Sequence, residues 1–421
     1  MWDPFASFSK QTLDNGLAVY TSEWKDRPLQ VFHFVVNTGG FHDAENHHGT
    51  AHFIEHMVSK NASLPYQELR DFFENIGGFV RLGSTSMLST RYSCGLPLDE
   101  KHIARGLEIF GHMLLGASLT QNFEREGTVI QSEFEREFPL KISQTMQVDR
   151  YKALLEGLPG THPYWVIGDP ETRRTMTTAY LQEEYDRRYV PASMKVITAG
   201  GLSPEKVASA IAASPFGNIK QGAASAAIVP LQSFRNPREA SNTVHLADHI
   251  KDVQNASNSY ETACVVPKAL FTDIVLALYL DILDEHTFRV FREEKGWAYH
   301  VGSGYQDLGV AHDLKITMDG IPKDAIAQVE DLMTQCIEKS AVDAVAFEKF
   351  KKQRLNSLGR HDLSVRAVTD QAASDVASYD RIIPMQEEDE RILQVTLADM
   401  ALVGHALSRT KRWSRCVLAS S

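Results

Sequence analysis

Cysteine is scarce in this 421-residue chain: Cys94, Cys264, Cys336 and Cys416 are scattered, and no two stand in a Cys-x-x-Cys spacing. That excludes a zinc knuckle or a paired redox motif, and the four read as reduced core thiols. Positive charge is also short. With 43 Lys and Arg against 54 Asp and Glu the formal net charge is −11, which argues against nucleic acid or an anionic membrane surface as the main partner. Peptides, small molecules and proteins stay open. No uninterrupted apolar run is long enough to span a bilayer, and the opening Met1-Trp2-Asp3-Pro4-Phe5 has neither a basic nor an apolar leader region. A cytoplasmic location is therefore expected.

What is present is ordinary globular composition over a length sufficient for two domains. Asn15-Gly16 lies between apolar runs, a strong hairpin signal. A strand is predicted at Val31 to Val36, a helix from about Thr50 to Val58, and an amphipathic helix from Tyr66 to Ile76 stopped by Gly77-Gly78. A strand at Thr90 to Cys94 and helices near 101–116 and 121–137 follow. The low-complexity stretch Gln221 to Ala227 interrupts this pattern and marks a linker, after which a strand at Thr262 to Val266 and a helix near 269–291 repeat the order loosely. The reading is α+β: two homologous tandem domains, each a mainly antiparallel sheet packed with helices. Their expected spans are 1–220 and 243–421, joined by a linker over 221–242.

The chemistry is carried by His52-Phe53-Ile54-Glu55-His56. On a helix, His52 and His56 are one turn apart and share a face, so two imidazoles can chelate one ion. Glu55 stands beside that face and can act as a general base without being a ligand. A catalytic zinc usually takes three protein ligands, so a third donor is needed. Glu126, Val129, Ile130 and Glu133 fall at i, i+3, i+4 and i+7, a face that mixes apolar residues with two carboxylates. A carboxylate on such a face wants a partner, which favours Glu126 and Glu133 over Glu124, Glu135 and Glu137. The competing readings are a surface helix with two histidines, and a chelate from His48 and His52 that Gly49 disfavours. His42 and His47 read as solvated loop residues.

These segments carry a resemblance to a family. Leu13-Asp14-Asn15-Gly16-Leu17, Gly49 through Met57, Ile76-Gly77-Gly78, Arg125 through Glu133, Tyr189-Val190-Pro191 and Phe291 through Tyr299 together resemble the pitrilysin and insulinase metallopeptidases, which include the mitochondrial processing peptidases. The resemblance implies one Zn2+ per chain held by His52, His56 and Glu133, with Glu55 as catalytic base and Glu126 as a supporting acid. It also implies that Arg292 and Tyr299, seven apart, bind substrate and help stabilise the transition state. Read alone, that pair is a solvated helix end and a core aromatic. The family usually writes Asn-Ala-x-Thr-Ser on a substrate-pairing edge strand, where this chain has Leu82-Gly83-Ser84-Thr85-Ser86 and lacks the asparagine.

The implied activity is that of a zinc metalloendopeptidase hydrolysing peptides or unfolded segments in an enclosed chamber. The implied assembly is a homodimer, or a heterodimer with a homologous chain. The alternative is a non-catalytic or partner-dependent binding subunit of a heteromeric peptidase.

Overall fold

A computed structural model describes residues 2–60, 65–138, 141–158, 160–227, 241–245, 258–269, 271–322, 325–356, 364–409 and 413–418. It divides the chain into two compact units. The first unit is built on six strands: β1 (Ser9–Thr12), β2 (Ala18–Glu23), β3 (Leu29–Val36), β4 (Phe79–Thr85), β5 (Thr90–Pro97) and β6 (Met194–Gly200). They lie in the order β1-β2-β6-β3-β5-β4, with β2 and β6 parallel and the remaining pairs antiparallel. The hairpin signal at Asn15-Gly16 produces a hairpin, though with a longer turn than two residues. Thr12 pairs with Ala18, and the turn closes through Leu13 N–H to the Leu17 carbonyl at 2.9 Å.

The central strand β3 explains its own composition. Phe32, Phe34 and Val36 enter the main core beneath the sheet, while Val31 and Val35 are buried on the opposite face. Covered on both sides, the strand reads as a continuous apolar run instead of an alternating one. The main core is closed by the helices Thr50–Ser59, Tyr66–Asn75, Glu100–Leu115, Phe123–Glu137, Thr178–Arg188 and Pro204–Ala212.

The opposite face is closed from far along the chain. The helix Val365–Tyr379 lays Val365, Val368, Ala372, Ala373 and Val376 on Tyr20, Trp24, Val31, Val35, Ile197 and Ala199. Two alanines at the contact let the helix approach closely. The polar members of this face pair with the same helix: His33 Nε2 stands 3.3 Å from Asp370, and Arg91 donates to Ser374 Oγ at 2.7 Å.

The second unit contains β7 (Ser241–His245), β8 (Asn258–Pro267), β9 (His300–Asp307), β10 (Ala311–Ile321) and β11 (Trp413–Leu418), in the order β7-β11-β8-β10-β9. Here β7 and β11 are parallel and the other pairs antiparallel. Advancing each strand number of the first sheet by five turns β2-β6-β3-β5-β4 into this order, so the two units share one plan and β1 is an addition to the first. The helices Asp273–Thr287, Ile326–Ser340, Ala344–Leu355 and Leu397–Arg409 supply its core. The helix expected near 269–291 is shorter as an α-helix, because from Phe288 to Glu294 it widens into a π-helical turn.

The units do not coincide with the contiguous spans 1–220 and 243–421. Of the described residues, 364–387 group with the first unit, and 141–158 with 160–163 group with the second. The physical cause in the first is the apolar outer face of its sheet, which Val365–Tyr379 covers; in the second, the helix Lys141–Leu154 runs against β11. Of the expected linker, 221–227 has no regular secondary structure and is mostly exposed, 228–240 lies outside the described residues, and 241–242 belongs to β7. Cys94 and Cys336 are buried free thiols, and Cys264 is buried as well. Among the described residues no helix is long and apolar enough to cross a membrane.

Candidate active site

The helix Thr50–Ser59 follows β3 and divides its circumference by chemistry. Phe53, Ile54, Met57 and Val58 enter the core, leaving His52, Glu55 and His56 on the other side. Its start is built with care. Gly49 takes φ +96°, and a Cβ there would lie 2.8 Å from the Ile167 carbonyl oxygen. The Gly49 and Ala51 amides donate to the Asp43 carboxylate at 2.9 and 3.1 Å, which satisfies helix N-terminal donors and places an anion at the positive end of the helix dipole. Arg188, only 1% exposed, donates to Asp43 at 2.8 Å and also pairs with Glu184 at 2.7 Å. Burial pushes the Asp43 carboxyl up to about 6 against the pull of Arg188.

Opposite this helix, Phe123–Glu137 presents Glu126, Ile130, Glu133 and Phe134. Glu126 is 1% exposed, Ile130 and Phe134 are buried, and Glu133 is half-buried. Val129 was expected on this face but is 42% exposed. At three residues from Glu126 it lies about 60° to one side, while Ile130 and Phe134 pull the centre of the face to the other.

The two helices bring three donors to one point. Glu133 Oε2 is 3.7 Å from His52 Nε2 and 3.4 Å from His56 Nε2, and the three ligand atoms lie within 4.8 Å of one another. Donors held about 2.0–2.2 Å from a tetrahedral ion stand about 3.3–3.6 Å apart, so the donor types suit zinc and the two distances to Glu133 lie close to that spacing. Burial depresses the His52 pKa to about 3, with the His56 charge adding to it, so His52 is a neutral imidazole with a free lone pair. Burial also opposes charge on His56, but Glu126, Glu55 and Glu133 outweigh it and hold that pKa above the ordinary histidine value. Glu126 Oε2 is 3.3 Å from His56 Nδ1, the nitrogen that faces away from the other donors. A carboxylate there fixes the ring and its tautomer, leaving Nε2 as the donor toward an ion. Glu126→Ala should therefore weaken zinc affinity by about 10–100-fold, measured by chelator competition. An unchanged affinity would remove Glu126 from this role.

Glu55 does not join the three donors. Thr85 Oγ1 of β4 donates to its Oε2 at 2.8 Å, and burial raises its pKa while His56 opposes the rise. Half-buried, partly desolvated and hydrogen-bonded by Thr85, it is a carboxylate suited to exchanging a proton.

In the second unit, Arg292 lies on the π-helical turn Phe288–Glu294, and Tyr299 directly precedes β9. The Arg292 guanidinium donates to the Tyr299 carbonyl and stands 5.1 Å from the centre of its ring. Tyr299 is 81% exposed, not the core aromatic that sequence alone suggests. Between β8 and β9 this pair holds the place that the His52 helix and its sequel hold between β3 and β4.

The other histidines sort differently from their spacing. His48 precedes Gly49 and is not on the helix, so it makes no one-turn chelate with His52. His42 and His47 are half-buried and engaged: His42 Nδ1 accepts from the Gly39 amide at 3.2 Å with its pKa depressed by burial to about 4, and His47 stacks on Tyr180 at 4.2 Å. Sequence reading missed Asp43, Arg188 and Thr85. Arg173 was missed too; it ties Gln131 of the carboxylate-bearing helix to the Ile167 and Gly168 carbonyls.

Two α+β units of one plan, with a His-x-x-Glu-His helix facing a downstream glutamate in the first, define an inverted-zincin type of protein. Residues 30–147 match the profile described as insulinase (peptidase family M16), and residues 175–354 match the peptidase M16 inactive domain. The chain belongs to this peptidase family.

It is 30% identical over 223 residues to the mitochondrial-processing peptidase subunit beta of Caenorhabditis elegans, an alignment covering 52% of this chain and 46% of that one. It thus spans about half the length of the mitochondrial relatives it matches. An uncharacterized zinc protease of Rickettsia felis is 21% identical, with 94% of this chain and 93% of that protein aligned. Among solved structures, a protease from Helicobacter pylori superposes with a TM-score of 0.79 at 18% identity, covering 97% of this chain and 99% of the other. That likeness shows the fold.

Proposed function

We propose that the protein is a zinc metalloendopeptidase that hydrolyses peptides or unfolded protein segments. The observation that carries this reading is the convergence of His52 Nε2, His56 Nε2 and Glu133 Oε2, with the Glu55 carboxylate beside them but outside the set. Zinc, when bound, supplies Lewis acidity that acidifies water and polarises a carbonyl. The chain supplies the rest. Glu55 takes a proton from the attacking water and passes it to the leaving amine, while Glu126 keeps His56 oriented. Tyr299, through its hydroxyl, and Arg292 donate hydrogen bonds to the oxyanion as it develops.

This reading includes assembly. The mitochondrial relatives are named as subunits, and the proposed oxyanion donors lie in a different unit from the base. A homodimer in which the first unit of one chain works with the second unit of its partner supplies both; a homologous second chain is the alternative. The same proposal places the enzyme in the cytoplasm, and cell fractionation with an epitope-tagged chain tests that placement.

The edge strand β4 beside Glu55 suits an extended substrate added as a further strand. Peptides and unfolded chains should accordingly be cut, and a tightly folded protein refused. Metal analysis of the purified protein should give about one zinc per chain, and incubation with a stable globular protein and its reduced, unfolded form should give cleavage of the unfolded form only. Rapid internal cleavage of the folded form, or activity in zinc-free protein, would contradict the proposal.

A further inference from the structure

The strand that bears Thr85 is irregular next to the site. Phe79, Val80 and Arg81 pair with Gly95, Cys94 and Ser93; beyond them Ser84 and Thr85 pair with Arg91 and Thr90. Leu82 and Gly83 therefore face the single residue Tyr92, which is a β-bulge in an edge strand. A bulge bends its strand and re-aims the side chains beside it. This one falls in the segment where the sequence departs from the Asn-Ala-x-Thr-Ser pattern.

Gly83 and Thr85 are two residues apart and so face the same side of the sheet. That side holds Glu55. A Cβ built on Gly83 would come 2.5 Å from both Cγ and Cδ of Glu55 and closer still to Oε1, while Thr85 Oγ1 holds Oε2 at 2.8 Å. The backbone at Gly83 also takes φ +154°, which L side chains rarely adopt. One strand thus treats the two carboxylate oxygens separately: a hydroxyl fixes one, and a missing side chain leaves room for the other.

We propose that the Leu82–Gly83 bulge is a positioning device for Glu55, and that Gly83 is the positioning residue whose bare backbone seats the carboxylate. The inference rests on the proposed role of Glu55 as base. A methyl at position 83 pushes against the end of a flexible side chain, so the fold can absorb it by swinging Glu55 aside. The swing breaks the Thr85 bond and misplaces the base. Misplacement of a reacting group by about 1 Å costs about 100-fold in rate.

The test is Gly83→Ala in the full chain, with three readouts. Zinc should stay at about one per chain, and kcat should fall about 100-fold while KM moves by less than about threefold. The third is thermal melting of Gly83→Ala in the wild-type and Glu55→Ala backgrounds. Removing the Glu55 carboxylate removes the collision and leaves the backbone strain, so the loss in Tm should be clearly smaller in the Glu55→Ala background. If Gly83→Ala alone does not fold and the double variant does, the coupling is shown more strongly. Equal Tm losses in the two backgrounds, failure of both to fold, or an unchanged kcat would overturn the proposal. The melting cycle needs no substrate, so it decides whether Gly83 acts through Glu55 even if Glu55→Gln proves to retain full turnover and Glu55 is not the base.

Discussion

Glu55→Gln should abolish peptide hydrolysis, with kcat falling by about 10³-fold or more, while the protein keeps about one zinc per chain and its melting temperature. The structure explains why the two effects separate. The three converging donors are His52, His56 and Glu133, so glutamine at position 55 removes none of them. The amide is isosteric with the carboxylate, fits the space left by Gly83, and its carbonyl can still accept from Thr85 Oγ1. Burial already disfavours charge at this position, so a neutral side chain adds no folding cost. What the amide cannot do is take a proton from water. Metal analysis, calorimetry and a quenched peptide assay on one preparation check all three statements. Turnover near the wild-type value would remove Glu55 from its role, and loss of zinc would mean that the carboxylate belongs to the metal site.

The parts of this site that were legible in the sequence are those governed by helical periodicity. One turn separates His52 from His56, and the same period places Glu126 and Glu133 on one face, so two helices could be expected to converge before their packing was known. The shared plan of the two units was legible only loosely. It becomes definite in the strand orders, because parallel and antiparallel neighbours leave no distinct mark on a single sequence. Contacts between distant segments were not legible at all. Asp43 and Arg188 are 145 residues apart and no spacing links them, yet the pair is buried and braces the start of the His52 helix. The helix Val365–Tyr379 looks like part of the second half by position and covers the first sheet by its small apolar stripe. Gly83 lies in the edge-strand segment that lacks the family's asparagine, and nothing in the sequence assigns it a role of its own. Its use depends on a collision with a side chain 28 positions away, which no local pattern encodes.

Subunit mixing should restore activity from two inactive variants, because the proposed base and the proposed oxyanion donors fall in different units. Glu55→Gln lacks the base in every site it builds, and Arg292→Ala lacks the guanidinium that holds the Tyr299 carbonyl and lies against its ring. Each homodimer should be nearly inactive. In a mixed dimer one site receives both defects and the other neither: the unaltered first unit of the Arg292→Ala chain meets the unaltered second unit of the Glu55→Gln chain. Random exchange of equal amounts makes half the dimers mixed, each with one sound site of two, so about a quarter of wild-type activity should return. Native mass spectrometry verifies the exchange, and the peptide assay reads the recovery. A chain that completes its own site would give no recovery after verified exchange, because every chain in the mixture carries one of the two defects. A strictly monomeric mass, or verified exchange without recovery, would therefore overturn the composite site and direct the search to a different partner chain.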